Sequence, residues 1–201
     1  NYLTDKAEDF LERHQSDPFV LYLPHYAVHI PLEAEEELIS KYEQKTKTDK
    51  RRVNNPTYAA MVEHIDHSLG RIMKKLDDLQ LSENTVVIFF SDNGGLYQRF
   101  DKQGEPVMVN LPLRDEKGSL YEGGIRVPLI VRWPSKIAAG TVCDTPVSSV
   151  DFVPTMLELA GVDQSKVQID GQSLVPLLTE AGTLSREGIY WHYPHYHHTS
   201  P

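Results

Sequence analysis

The sequence predicts an α/β fold with a mostly parallel sheet that helices cover on both faces. Two apolar runs, FVLYL at 19–23 and TVVIFF at 85–90, lack alternating polar positions, as is typical of strands buried on both faces. Amphipathic stretches separate such runs, and the clearest spans 56–79, where apolar residues recur every three or four positions. Strands that alternate with helices indicate an α/β sheet.

Composition excludes several classes of protein. The chain has 201 residues, enough for one sizeable core, and its formal net charge of −9 argues against binding to nucleic acid. No apolar stretch reaches the length of a transmembrane helix, so no membrane partner is expected. The single cysteine, Cys143, excludes an internal disulfide framework.

The first half of the chain contains three predicted helices and two predicted strands. Thr4 or Asp5 is expected to cap the first helix, and the strand at 19–23 leads into a loop between two prolines that should be stiff. An acidic helix is expected over 33–42. Asn55 before Pro56 is typical of a helix start, and that helix precedes the strand at 85–90.

The second half is predicted to be richer in loops. Residues 96–112 lack periodicity and are expected to form a long loop over a site. A strand is expected at 127–132, and Asp151 is expected to cap a helix. A short helix should end at 178, and a last strand is expected at 188–191.

The stretch SDNGG at 91–95 carries the clearest functional signal. It directly follows a predicted buried strand, which is where open α/β sheets bind their ligands. Asp92 and Asn93 offer oxygen ligands only, so a metal held there would be a hard cation such as Ca²⁺ or Mg²⁺. The alternative is an ordinary turn, because Asp-Asn-Gly is also common turn chemistry.

Four stretches together resemble one protein family. They are FVLYLPHYAVHIPL at 19–32, TVVIFFSDNGG at 85–95, KGSLYEGGIRVPLIVRWP at 117–134, and VSSVDFVPTMLELAGV with IDGQSLVPLL within 147–178. In this order they are similar to the sulfatase family. The resemblance implies an alkaline-phosphatase-like α/β/α sandwich, with the second half of the catalytic domain at 1–185 and the start of a smaller C-terminal α+β region at 186–201.

The resemblance also implies roles for individual residues. Asp92 and Asn93 match two ligands of the family's divalent cation, usually calcium. His29 matches a histidine that lies against the sulfate ester, and Lys117 matches a lysine that contacts a sulfate oxygen and the bridging oxygen. The EGGIR segment at 122–126 is interpreted as structural, with glycines for tight packing and a buried, paired arginine.

Part of the family's active site does not occur in this sequence. The family uses a formylglycine nucleophile, made within a Cys/Ser-x-Pro-x-Arg motif, and an Asp-Asp pair as further metal ligands, both near the N-terminus. Because neither is found and the chain starts at Asn1 without methionine, it is expected to be a fragment that needs the N-terminal half of the same domain and is inactive alone. The resemblance implies a periplasmic, secreted or lysosomal location.

Further histidines are candidates for substrate contacts. WHYPHY at 191–196 resembles a stretch near the substrate pocket of some polysaccharide-directed sulfatases, so His192 and His195 are candidate sugar ligands. His25, four residues before His29, is a third. The alternatives for the closing histidines are a metal-binding tract or a disordered end.

The function implied is hydrolysis of a sulfate ester, with a sulfated carbohydrate or an aryl sulfate as substrate. Two alternatives stay open on the sequence. One is a phosphodiesterase or phosphonate hydrolase of the same superfamily, and the other is a non-catalytic sulfatase-like domain that binds glycans or a partner chain.

Overall fold

The structure is a computed structural model that describes residues 2–45, 53–97 and 106–194. Six helices and two strands occur in these ranges. In chain order they are α1 (Tyr2–Arg13), α2 (Glu36–Glu43), α3 (Pro56–Asp78), β1 (Val87–Phe90), α4 (Glu122–Ile125), β2 (Leu129–Arg132), α5 (Phe152–Leu159) and α6 (Val175–Leu178), with short 3₁₀ turns at Ser82–Asn84 and Ser149–Asp151.

The core lies between α1 and α3. Ala7 and Leu11 of α1 pack against Ile72 and Leu76 of α3, and all four are buried. The period of three to four residues in each helix places these side chains on one face. The predicted start of α3 is confirmed, since the Asn55 carboxamide oxygen accepts a hydrogen bond from the Tyr58 N–H at 2.9 Å.

The two strands form an antiparallel pair, a direction that the expectation of a mostly parallel sheet left open for this pair. Val87 lies opposite Arg132 and Phe90 opposite Leu129. A short continuous apolar run indicates burial but carries no information on strand direction. At the end of β1, Phe90 meets Phe152 of α5 edge to face, with 4.9 Å between ring centroids. The carboxyl end of β1 is therefore fixed to α5.

The expected strand at 19–23 is not among the elements of the described part of the chain. Its alternate side chains Phe19, Leu21 and Leu23 pack on the core, whereas Val20 and Tyr22 are 70% and 85% exposed. The segment thus buries one face only. The expected strand at 188–191 is likewise absent from the described elements, and this stretch is irregular.

Two predicted helix caps are also corrected. Helix α1 begins at Tyr2, so Thr4 lies inside it and is fully buried rather than capping its start. Asp151 does not cap α5 with its side chain. Instead Ser148 and Asp151 form a capping box around the 3₁₀ turn that precedes α5.

Candidate cation and sulfate site

The loop after β1 is folded tightly by its own side chains. Ser91 Oγ donates to the Asn93 carbonyl at 3.0 Å, and the Asn93 N–H donates to Asp92 Oδ1 at 3.0 Å. Asp92 is exposed and Asn93 is half-buried. The end of the strand therefore presents a carboxylate to the outside of the loop.

The donor atoms of this loop suit a hard cation. Asn93 uses its side-chain N–H to bond the Gly94 carbonyl at 3.0 Å, so its carbonyl oxygen Oδ1 is the atom left for a metal. Together with the carboxylate of Asp92 it forms an oxygen-only pair. Within residues 2–45, 53–97 and 106–194, no group of three or more His, Cys, Asp or Glu side chains is placed to hold a metal. Asp92 and Asn93 thus fit a cation as part of a ligand set.

Glycines allow a second segment to pack directly on this loop. The Gly94 N–H donates to the Gly124 carbonyl at 2.9 Å, and a Cβ on Gly94 would lie 1.7 Å from the Gly123 carbonyl oxygen. A Cβ on Gly123 would lie 2.0 Å from the Asp115 carbonyl oxygen. The interpretation of the EGGIR glycines as packing residues is confirmed, because a side chain on Gly123 or Gly124 would force the backbones apart.

The arginine of the same segment differs from its prediction. Arg126 was expected to be buried in ion pairs, but its side chain is 67% exposed and contacts Glu122, one helical turn earlier, at 3.4 Å. Exposed ion pairs of this kind contribute little to stability. The EGGIR segment therefore contacts the loop of Asp92 and Asn93 through its backbone, and the Arg126 side chain contacts Glu122 instead.

Lys117 is joined through its backbone to the loop that carries Asp92 and Asn93. Its N–H donates to the Gly95 carbonyl at 3.1 Å, and its side chain is half-buried. Gly118 follows with a φ of 91°, a conformation that favours glycine. The structure thus brings the Lys117 segment together with the loop of Asp92 and Asn93.

Asn110 is a residue of this site that the sequence analysis missed. Its side-chain Oδ1 accepts from the Gly95 N–H at 3.2 Å, while its Nδ2 donates to the carbonyls of Gly95 at 2.9 Å and Asp115 at 3.0 Å. An asparagine inside an aperiodic loop gives no sequence signal beyond ordinary turn chemistry.

His29 lies on the exposed surface of its loop, and one of its ring atoms is fixed. The Nδ1 atom is 2.9 Å from the Ile30 carbonyl, which can only accept, so Nδ1 carries a proton. The backbone N–H of His29 also bonds the Tyr26 carbonyl at 2.8 Å. Nε2 is the ring atom left for a ligand. In the described residues, no hydrogen bond or ion pair joins His29 to Asp92, Asn93 or Lys117.

His25 points into the protein and belongs to a buried chain of hydrogen bonds. Its Nε2 lies 3.3 Å from Ser68 Oγ, which lies 2.7 Å from Thr4 Oγ1. Ser68 and Thr4 are 1% and 0% exposed. Burial lowers the pKa of His25, because the charged imidazolium loses hydration. This chain ties the loop of His29 to α1 and α3.

The closing histidines lie beyond a buried ion pair. His192 is exposed, and His195 lies outside the described residues. Upstream, Arg186 bonds both carboxylate oxygens of the fully buried Asp151, at 2.7 and 2.8 Å, and the Pro146 carbonyl at 2.8 Å. Burial alone would raise the pKa of Asp151, but hydrogen bonds from Arg186 and from the amides of Gln172 and Ser148 outweigh it and lower the pKa.

The sequence of this chain is similar to those of known enzymes. The family model described as Sulfatase matches residues 1–162. A sulfatase from Formosa agariphila is 37% identical over 97% of this chain and 37% of that protein. Human steryl-sulfatase is 34% identical over 95% of this chain and 31% of that protein. The chain therefore spans about a third of the length of these curated relatives.

A solved structure shares the fold. The crystal structure of Ps i-CgsB in complex with k-i-k-neocarrahexaose superposes with a TM-score of 0.76 at 33% identity, over 90% of this chain and 38% of that chain. Within residues 2–45, 53–97 and 106–194, each helix is too short or too polar to span a lipid bilayer.

Proposed function

Because the chain belongs to the sulfatase family, with the alkaline-phosphatase-like α/β fold of that family, we propose that residues 1–185 form the second half of a sulfate ester hydrolase domain. Residues 186–201 would begin its C-terminal region. One observation supports the active-site assignment most directly. The Lys117 N–H bonds the Gly95 carbonyl at 3.1 Å, so the segment that carries the Lys117 ammonium is attached to the loop that carries the oxygen ligands Asp92 and Asn93.

Asp92 and Asn93 are proposed to hold Ca²⁺ or Mg²⁺ through a carboxylate and a carboxamide oxygen. A bound divalent cation would polarise the sulfate oxygens and orient the ester. Hydrogen bonds within the loop hold both side chains, since the Asp92 carboxylate accepts from the Asn93 N–H and Asn93 Nδ2 donates to the Gly94 carbonyl. This arrangement reduces the reorganisation needed when a ligand binds.

Lys117 and His29 are proposed to act on the ester itself. The Lys117 ammonium would stabilise negative charge on a sulfate oxygen and on the bridging oxygen as the S–O bond breaks. In its imidazolium form, with Nδ1–H held by the Ile30 carbonyl, His29 would donate the Nε2 proton to the departing oxygen and be left as the neutral Nδ1–H ring. General acid catalysis of this kind contributes about a hundredfold to ten-thousandfold in rate.

The nucleophile is proposed to come from the N-terminal half of the same domain. A formylglycine, made within a Cys/Ser-x-Pro-x-Arg motif, is the expected group, and this sequence contains no such motif. The 201 residues alone are therefore expected not to turn over a sulfate ester.

A sulfated carbohydrate is the proposed substrate class, and an aryl sulfate is a second candidate. The oligosaccharide in the Ps i-CgsB complex supports the first. His192 and His195 are proposed as ligands of sugar hydroxyls. His25 would also lie on the substrate side, and since its Nε2 faces Ser68, contact would be made through Nδ1 or the ring edge.

The proposal is tested by kinetics of the full gene product that includes these residues. We expect hydrolysis of p-nitrophenyl sulfate, a fall in kcat of about a hundredfold or more for Lys117→Ala and His29→Ala, and no change for Lys136→Ala. Lys136 is an exposed lysine that serves as the matched control. Hydrolysis of a phosphodiester or a phosphonate in preference to the sulfate ester would overturn the proposal.

A further inference from the structure

We propose that Asn110 is a positioning residue that couples the loop of Asp92 and Asn93 to the segment that carries Lys117. This inference rests on the function proposed above. It assigns to Asn110 no contact with substrate. Its carboxamide would set the placement of the groups that do make contact.

The geometry uses every part of the Asn110 side chain. Oδ1 accepts from the Gly95 N–H, and the two Nδ2 hydrogens are directed to the carbonyls of Gly95 and Asp115, at 2.9 and 3.0 Å. A carboxamide is the side-chain group that offers one acceptor and two donors in a plane. Aspartate would lack the donors, and leucine would lack all three bonds.

The Gly95 carbonyl is the point where both segments meet. It accepts from Asn110 Nδ2 at 2.9 Å and from the Lys117 N–H at 3.1 Å, which occupies both of its lone pairs. Loss of the Asn110 side chain would leave the Gly95 N–H and one lone pair without these partners. The direct contact between Gly95 and the Lys117 segment would then depend on a single hydrogen bond, from the Lys117 N–H to the Gly95 carbonyl.

Glycine at position 95 leaves room for this approach, and a side chain there would require the flexible end of Met108 to move. A Cβ there would lie 2.2 Å from Met108 Cε and 3.3 Å from Asn110 Oδ1. The loop that carries Asn110 is itself turned by a hydrogen bond from the Leu113 N–H to the Asn110 carbonyl, at 2.9 Å. Asn110 thus reaches Gly95 from a turn packed directly on the glycine backbone.

The inference predicts that Asn110 controls cation affinity without touching the cation. Loss of a side chain that orients metal ligands costs about 10- to 100-fold in affinity. We expect Asn110→Ala to weaken Ca²⁺ binding to the chain by a factor in this range, as followed by NMR titration of the isotope-labelled protein. Gln164→Ala, which removes a carboxamide bonded to the Pro154 carbonyl at 3.0 Å, is the matched control and should leave affinity unchanged.

Two outcomes of this titration distinguish the positioning role of Asn110 from the cation site itself. If the unsubstituted chain binds Ca²⁺ and Asn110→Ala binds it equally well, the positioning role is overturned and the proposed function stands. If the unsubstituted chain shows no Ca²⁺ binding, the proposed cation site is overturned together with the role of Asn110.

A second measurement needs no variant and therefore does not depend on how Asn110→Ala folds. Amide hydrogen exchange of the unsubstituted chain should slow at both Gly95 and Lys117 when Ca²⁺ is added, because one carbonyl and one carboxamide join the two positions. Slowing at Gly95 with no change at Lys117 would overturn the coupling.

Discussion

The backbone N–H of Lys117 donates a hydrogen bond to the Gly95 carbonyl oxygen, with 3.1 Å between the two atoms. Gly95 follows directly on the loop of Asp92 and Asn93, so the ammonium and both oxygen ligands share one frame. That frame depends on backbone contacts between glycines. Its stability should therefore be more sensitive to added methyl groups than to lost charges.

Gly94→Ala is expected to destabilise the protein by about 1–3 kcal/mol, since overpacking of a tight contact has this cost. The new Cβ would lie 1.7 Å from the Gly123 carbonyl oxygen, so one of the two segments must move. Urea unfolding measures the change. Gly70→Ala is the matched control, because Gly70 is exposed on α3 and nothing lies within 4 Å of the Cβ that alanine would add. This variant should be more stable than the parent by up to about 1 kcal/mol, since alanine is the better helix former. Equal midpoints for the Gly94 variant and the parent would contradict the packing account.

Arg186→Met is expected to cost about 3–5 kcal/mol, because it leaves the buried Asp151 carboxylate without its cation. The same substitution at the exposed Arg126 should change the free energy of unfolding by less than about 0.5 kcal/mol. Chemical denaturation of both variants gives the comparison. A similar small loss in both would show that the Asp151–Arg186 pair does not anchor the C-terminal segment.

The stability of the protein should depend on pH through His25. Burial lowers its pKa in the folded protein, so the unfolded chain binds the proton more readily. The contribution of His25 is thus present above the ordinary histidine pKa of about 6.5 and is lost as the pH falls below it.

This pH dependence is measured by urea unfolding at about pH 7.5 and about pH 5. The parent should lose more stability between the two than His25→Gln, which has no ionisable side chain at this position. Because the other histidines titrate in both proteins, the difference reports His25. An equal loss in parent and variant would rule out His25 as the source.

Local signals predicted the parts of the fold that local chemistry decides. The Asn55 cap and the apolar period of α3 are confirmed because a cap and a helical face are set by neighbouring residues. The direction of the β1–β2 pair could not be predicted, since a four-residue apolar run has the same pattern in either direction.

The candidate site could be predicted only where motifs mark it. Asp92, Asn93 and Lys117 were predicted from their stretches, and a backbone hydrogen bond joins the two segments that carry them. Asn110 could not be found, because its role arises from three backbone contacts made after folding. The burial of Thr4 beside Ser68 could not be predicted for the same reason, since these residues are 64 positions apart in the sequence.

Calorimetric titration of the chain with Ca²⁺ shows whether Asp92 and Asn93 bind a hard cation. We expect weak binding that is lost in Asp92→Ala and kept in the control Asp144→Ala, which removes an exposed carboxylate outside the site. Unchanged binding in Asp92→Ala would contradict the assignment.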